Sequence, residues 1–163
     1  MKRRTITVKQ ALAYARYVVS HKRSVFAACR RLRVPLWRAV IHDWSKFTPS
    51  EFFAYADTFF DDNGNARERP DLSTSWFQLA VKFHYQRNDH HWQHYRHNDE
   101  LTPMPEPAIR EMIADWHGFQ ASRSADGSAD PRAWYVMQSP YYVFHAETRA
   151  AVEAILIETY GAL

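Results

Sequence analysis

The sequence predicts an all-α protein: a compact bundle of about six helices forming one domain over residues 1–163. Three observations predict it. Apolar residues recur at helical spacing in most segments. Only four glycines are available, too few for the tight turns of an all-β fold. The composition, 46% hydrophobic and 15% aromatic, supplies enough apolar surface for a buried core and excludes a disordered chain.

The elements follow in order. Thr7 is the expected N-cap of a first helix from Val8 to about Leu32, with Val8, Leu12, Ala15, Val18, Val19, Val25, Phe26 and Cys29 as its apolar positions. Pro35 separates it from a second helix near Leu36, since proline is tolerated in a first turn and not in a helix interior. Thr48-Pro49-Ser50-Glu51 opens a third helix through Phe60. The polar stretch from Asp61 to Ser73, with Asn63-Gly64-Asn65 and Pro70, is a loop. Ser73 or Thr74 starts a helix expected to continue to Tyr95, and Pro107 a helix carrying Ile109, Met112, Ile113, Trp116 and Phe119. Ser122 to Arg132 is a second loop, Trp134 to Met137 a short extended piece, and a last helix runs from about Tyr142 to Tyr160.

Cys29 is the only cysteine, which excludes an intrachain disulfide and makes a reducing compartment the default; between Ala27-Ala28 and Arg30 it reads as a small core residue. The start, Met1-Lys2-Arg3-Arg4, mimics the charged end of an export signal, but Lys9 and Arg16 interrupt the apolar stretch that should follow. No run reaches the ~18–20 apolar residues that cross a bilayer. A cytoplasmic protein with no membrane partner is therefore expected. The net charge is +3, and the basic residues concentrate in the first quarter, from Lys2, Arg3 and Arg4 to Arg38. Such a field suits a solvated helix face and also attracts nucleotides or nucleic acid.

The residues that point to chemistry are His21, His42, Asp43 and Asp115. An adjacent His-Asp pair at a helix end offers one cation a neutral nitrogen and an anionic oxygen. His21 lies three residues after Val18 and four before Val25, on the apolar stripe of its helix. Asp115 lies between Met112 and Phe119 on another inward stripe. A buried carboxylate without a partner is costly, and a divalent metal would serve all four side chains at once.

In that order and spacing the sequence resembles the HD-domain superfamily of metal-dependent phosphohydrolases, which the resemblance expects to cover most of the chain as a helical bundle. It is also similar to a family of small phage and bacterial proteins sharing His-Asp-x-Ser-Lys-Phe with a following Glu, then Asn-x-His-His-Trp, then Asp-Trp. Here these are His42 to Phe47 with Glu51, Asn88 to Trp92, and Asp115-Trp116. The resemblance implies that His84 and His91, with Asn88 on the same helix face if the helix stays regular, hold a second metal or contact phosphate. It implies that Lys46 meets a phosphate oxygen. Glu51 is a candidate acid or base, and Asp115 a candidate for orienting the attacking water. His94 and His97 are expected at the surface, His117 off the site, and His145 within reach of it.

The expected function is hydrolysis of a phosphate ester, a nucleotide or a related compound, with Mn, Co, Ni, Fe or Zn as cofactor and Mg less favoured. Two alternatives stand beside it: a di-iron oxygenase using His21, His42, Asp43, His84, His91 and Asp115, and a nucleotide- or nucleic-acid-binding module without turnover. A homo-oligomer is compatible with either. No Gly-rich phosphate loop, Cys-x-x-Cys or Gly-x-Ser-x-Gly motif is present.

Overall fold

The computed structural model describes residues 5–98 and 100–163. Met1 to Arg4, and with them the signal-like start and the first three charges of the basic quarter, lie outside the described residues. The protein is all-α. Its helices are α1 (Val8–Arg31), α2 (Leu36–Ile41), α3 (Pro49–Phe59), α4 (Ser75–Arg87), α5 (Glu106–Ala121), α6 (Pro131–Gln138) and α7 (Ala146–Tyr160). The sole sheet among the described residues pairs β1 (Arg96–His97) antiparallel with β2 (Glu100–Leu101). No helix among them is long and apolar enough to cross a membrane.

The helix ends show why the chain breaks where it does. Thr7 and Gln10 form a reciprocal capping box: the Gln10 backbone N–H donates to Thr7 Oγ1 (3.2 Å) and the Thr7 N–H to Gln10 Oε1 (2.8 Å). α1 stops in a Schellman arrangement, in which the Val34 N–H donates to the Cys29 carbonyl (2.9 Å) and the Arg33 N–H to that of Arg30 (3.4 Å). Arg33 therefore sits at φ 57, where glycine is the usual occupant. Thr74 caps α4, its Oγ1 accepting from the Phe77 N–H at 3.3 Å.

Three elements differ from the sequence expectation. α4 ends at Arg87 and does not reach Tyr95. After it, Asn88 opens a turn whose carbonyl accepts from His91 (3.3 Å), and a 3-10 turn covers Trp92–Tyr95. Residues 134–137 are helical, because Asp130 caps α6 by accepting from the Arg132 N–H (3.0 Å) and Pro131 fits the first turn. The last helix starts at Ala146 because His145 is its N-cap, its Nδ1 accepting from Glu147 N–H at 3.3 Å.

The described residues form two compact units, 5–20 with 43–87 and 21–42 with 88–98 and 100–163. The first packs α3 and α4 with the Val8–Ser20 part of α1. Its core is aromatic: Tyr14, Tyr55 and Phe77 with Val18 and Ala56, the rings meeting edge-on (Tyr14–Phe52 5.1 Å, Tyr55–Phe77 5.6 Å between centroids). The buried stripe at this end of α1 runs through Gln10, Tyr14 and Val18, whereas the expected Val8, Leu12 and Val19 are exposed. Tyr14 outcompetes them because an aromatic ring buries more area and here faces other rings.

The second unit is aliphatic: Val25, Cys29 and Leu32 from α1, Ile109, Met112 and Ile113 from α5, Val152, Ile155 and Leu156 from α7. Cys29 lies inside it, and burial pushes its thiol up to about 12. Gly118 on α5 permits the closest approach. A Cβ there would stand 2.3 Å from Val25 Cγ2 and 2.9 Å from the Val25 backbone nitrogen.

Gly118→Ala should accordingly destabilise the protein by about 1–3 kcal/mol in urea unfolding, despite alanine's better helix propensity, because the backbones must separate. Arg33→Gly should stabilise by about 1 kcal/mol, relieving the left-handed backbone at the loss of only an exposed 3.9 Å ion pair with Glu158. In thiol titration at pH 8, Cys29 should be inert in the folded protein and react fully in denaturant.

Candidate metal centre

Each unit carries a buried polar cluster. In the second, α5 presents Glu111 and Asp115 one turn apart on the same face. Asp115 Oδ1 lies 3.0 Å from His21 Nε2 and 3.6 Å from His42 Nε2. Donor atoms of these three residues all fall within 4.8 Å of one another. Burial raises the Asp115 carboxyl pKa, but the two imidazoles outweigh it and hold the group well below the usual carboxylate range.

Glu111 sits behind the histidines. Its Oε1 faces His42 Nδ1 at 3.0 Å and His90 Nδ1 at 3.2 Å, and its Oε2 accepts from Arg38 Nε at 2.7 Å. Arg38 is buried too, and its two terminal nitrogens reach the Asp89 carboxylate at 2.5 and 3.1 Å. Burial alone would raise the Glu111 pKa, yet His42 and His90 lower it to about 2. An ionised Glu111 selects the tautomer with Nδ1–H in His42, so that Nε2, the nitrogen toward Asp115, has the lone pair. This carboxylate–histidine arrangement commonly stands behind a metal-binding imidazole. Lys22 ties down the backbone here, donating to the Val40 carbonyl (3.2 Å) and to the carbonyl of His42.

In the first unit, Asp43 has a left-handed backbone (φ 56, ψ 23) between α2 and the 3-10 turn Trp44–Phe47. Its Oδ2 accepts from Lys46 at 2.5 Å, and its Oδ1 lies 3.3 Å from His84 Nε2. Glu51, wholly buried, accepts from Ser45 Oγ (2.9 Å), His84 Nδ1 (3.0 Å) and Arg87 Nη1 (2.9 Å). Burial raises its pKa, and His84, Ser45 and Arg87 more than reverse that. Both Glu51 oxygens are thus occupied, with His84 Nδ1 among their partners.

By unit, the expected site residues His21, His42 and Asp115 belong to one, and Asp43, Lys46, Glu51 and His84 to the other. Lys46 is engaged with Asp43. Because α4 ends at Arg87, His84, Asn88 and His91 do not share one helix face. Asn88 is buried, His91 is half-buried, and the more deeply buried histidine is His90. His94 is half-buried and His97 exposed. His117 stacks on Tyr160, 6.3 Å between centroids, and His145 is committed to its cap.

Sequence reasoning missed Glu111, Arg38 and Arg87, and quoted Ser45, Asp89 and His90 only as positions within motifs, without a role. Glu111 had a readable signal: it stands four residues before Asp115 within an otherwise apolar helix face. Arg38 had none, lying among exposed apolar neighbours on a short helix.

Glu111→Ala should cost roughly 3–5 kcal/mol of stability, since it removes the carboxylate that a buried arginine and two imidazoles share. Double substitution with Arg38→Met should recover part of that loss in the same denaturation assay.

No curated protein matches the chain, and no solved structure does. A family match runs from residue 10 to residue 158, through both polar clusters and every helix that builds them. The chain belongs to the family of unknown function DUF5662.

Proposed function

We propose that the protein is a divalent-metal-dependent phosphohydrolase acting on a nucleotide or a related phosphate ester. The observation that carries this reading is the Asp115 carboxylate set 3.0 Å from His21 Nε2 and 3.6 Å from His42 Nε2, with Glu111 behind His42. Two imidazole nitrogens and a carboxylate oxygen suit a transition metal (Mn, Co, Ni, Fe or Zn) better than Mg. Asp43 enters as the fourth ligand because it follows His42 directly in the chain, as the HD-domain resemblance expects. Its left-handed backbone is a local strain of the kind retained at functional sites.

Bound there, a cation supplies Lewis acidity toward a phosphoryl oxygen and lowers the pKa of water toward ~7. The chain's own residues supply the rest. Glu111 fixes the His42 tautomer. His84, held by Glu51, and Lys46 fix the Asp43 carboxylate. Lys46 brings a positive charge that stabilises negative charge developing on a phosphoryl group. Asp115 retains an oxygen for orienting the attacking water.

The test is elemental analysis of the purified protein, paired with release of phosphate from a panel of nucleotides in Mn, Co, Ni and Mg. His42→Ala and Asp43→Ala should each lower both metal content and turnover, the latter by roughly 100-fold or more. Full phosphatase activity in metal-depleted Asp43→Ala would overturn the reading. Two irons per chain with a visible absorption band would favour an oxygenase instead.

A further inference from the structure

The first unit contains a cleft of about 720 Å³, a volume typical of small-molecule sites, whose lining includes Ile6, Thr48, Ser50, Phe53, Trp76 and Arg87. Its lining combines two features that ordinary surface grooves lack. Phe53 (42% exposed) and the half-buried Trp76 contribute aromatic side chains to the lining. Arg87 is fixed at one nitrogen only: Nη1 donates to Ser50 Oγ (2.7 Å), Glu51 Oε1 (2.9 Å) and Thr48 Oγ1 (3.2 Å). Among the described residues Nη2 and Nε make no hydrogen bond, and the guanidinium carbon lies 5.0 Å from the Phe83 ring centroid. A guanidinium held by one corner, with three N–H donors remaining, is preorganised for an anionic oxygen acceptor.

We propose that this cleft is a binding site for a ligand that joins a planar aromatic ring to an anionic group, specifically a nucleoside monophosphate. Its base lies against Trp76 and Phe53, and its phosphate is received by Arg87. Aromatic walls favour a heterocycle over a bare sugar phosphate, because any base offers a π-face for stacking. The Thr48 and Ser50 hydroxyls add hydrogen bonds beside the phosphate. The cleft is also wired to the Asp43 cluster inside the same unit. Arg87 holds Glu51, Glu51 holds His84 Nδ1, and His84 Nε2 faces Asp43. Naming the ligand a substrate rests on the phosphohydrolase reading; its binding does not.

The experiment is calorimetric titration of the full chain in EDTA with adenosine and uridine 5′-monophosphates, ribose 5-phosphate and adenosine. At least one monophosphate should bind about tenfold or more tightly than ribose 5-phosphate or adenosine. Trp76→Ala should weaken the monophosphate about tenfold while leaving ribose 5-phosphate unchanged, and Trp76→Phe should restore binding to within about threefold. Arg87→Lys should weaken both phosphates and spare adenosine. Each variant is first shown to unfold at the wild-type temperature; if Arg87→Lys does not, the two Trp76 variants decide. Absence of monophosphate binding, equal affinity for ribose 5-phosphate, or indifference to Trp76→Ala overturns the proposal. Because EDTA prevents turnover, binding here with no phosphate release in metal would fault the phosphohydrolase reading alone. Turnover with cleft-independent binding would fault the cleft alone.

Discussion

Burying negative charge on α5 is the constraint around which the second unit is organised. Two carboxylates one turn apart, in a helix otherwise packed by Ile109, Met112 and Ile113, are tolerable only if cationic or hydrogen-bonding partners surround them. His21 and His42 close on Asp115; His42, His90 and Arg38 close on Glu111. These partners come from widely separated segments, so satisfying the carboxylates also fixes how α1, α2 and the residue-90 turn lie against α5. Close packing at Gly118 against Val25 then holds α1 in place.

The first unit solves the same problem differently. Its core is built of rings rather than branched aliphatics, and its buried carboxylate, Glu51, is satisfied by a serine, a histidine and an arginine. Such a network loses more than the sum of its bonds when one member is removed, because each remaining polar group is left in a low dielectric. That is the physical reason to regard Ser45 and Arg87 as parts of the Asp43 cluster, although Arg87 lies outside the sequence motifs. It is also why an orienting role suits Glu51. A carboxylate already accepting three hydrogen bonds, with its pKa pulled down, is a poor proton donor at neutral pH.

Much of the candidate site was legible in the sequence because its signals are local. His21 and Asp115 occupy inward helical positions by simple periodicity, and His42-Asp43 terminates a helix by its neighbours. Helix starts were also legible, since Thr7, Pro49, Thr74 and Pro107 act through hydrogen bonds or backbone angles within a few residues. Three of the misreadings share one cause, whereas residues 134–137 and the start of the last helix turned on the local caps Asp130 and His145. Tyr14 in place of Leu12, the stop at Arg87, and His90 buried more deeply than His91 all depend on what the segment packs against, which periodicity alone does not encode.

The sequence by itself determined the helical class, caps such as Thr7 and Thr74, and which side chains offer donors that suit a metal, because propensity, capping and side-chain donor type are properties of short stretches of chain. Only the tertiary structure decided which of those residues share a cluster, that Glu111 stands behind His42 and His90, and that Arg38 and Arg87 are network members rather than solvated charges. The physical reason is that burying a charge has no consequence in sequence. It becomes decisive once distant segments exclude water, and the partner that satisfies it can come from any of them.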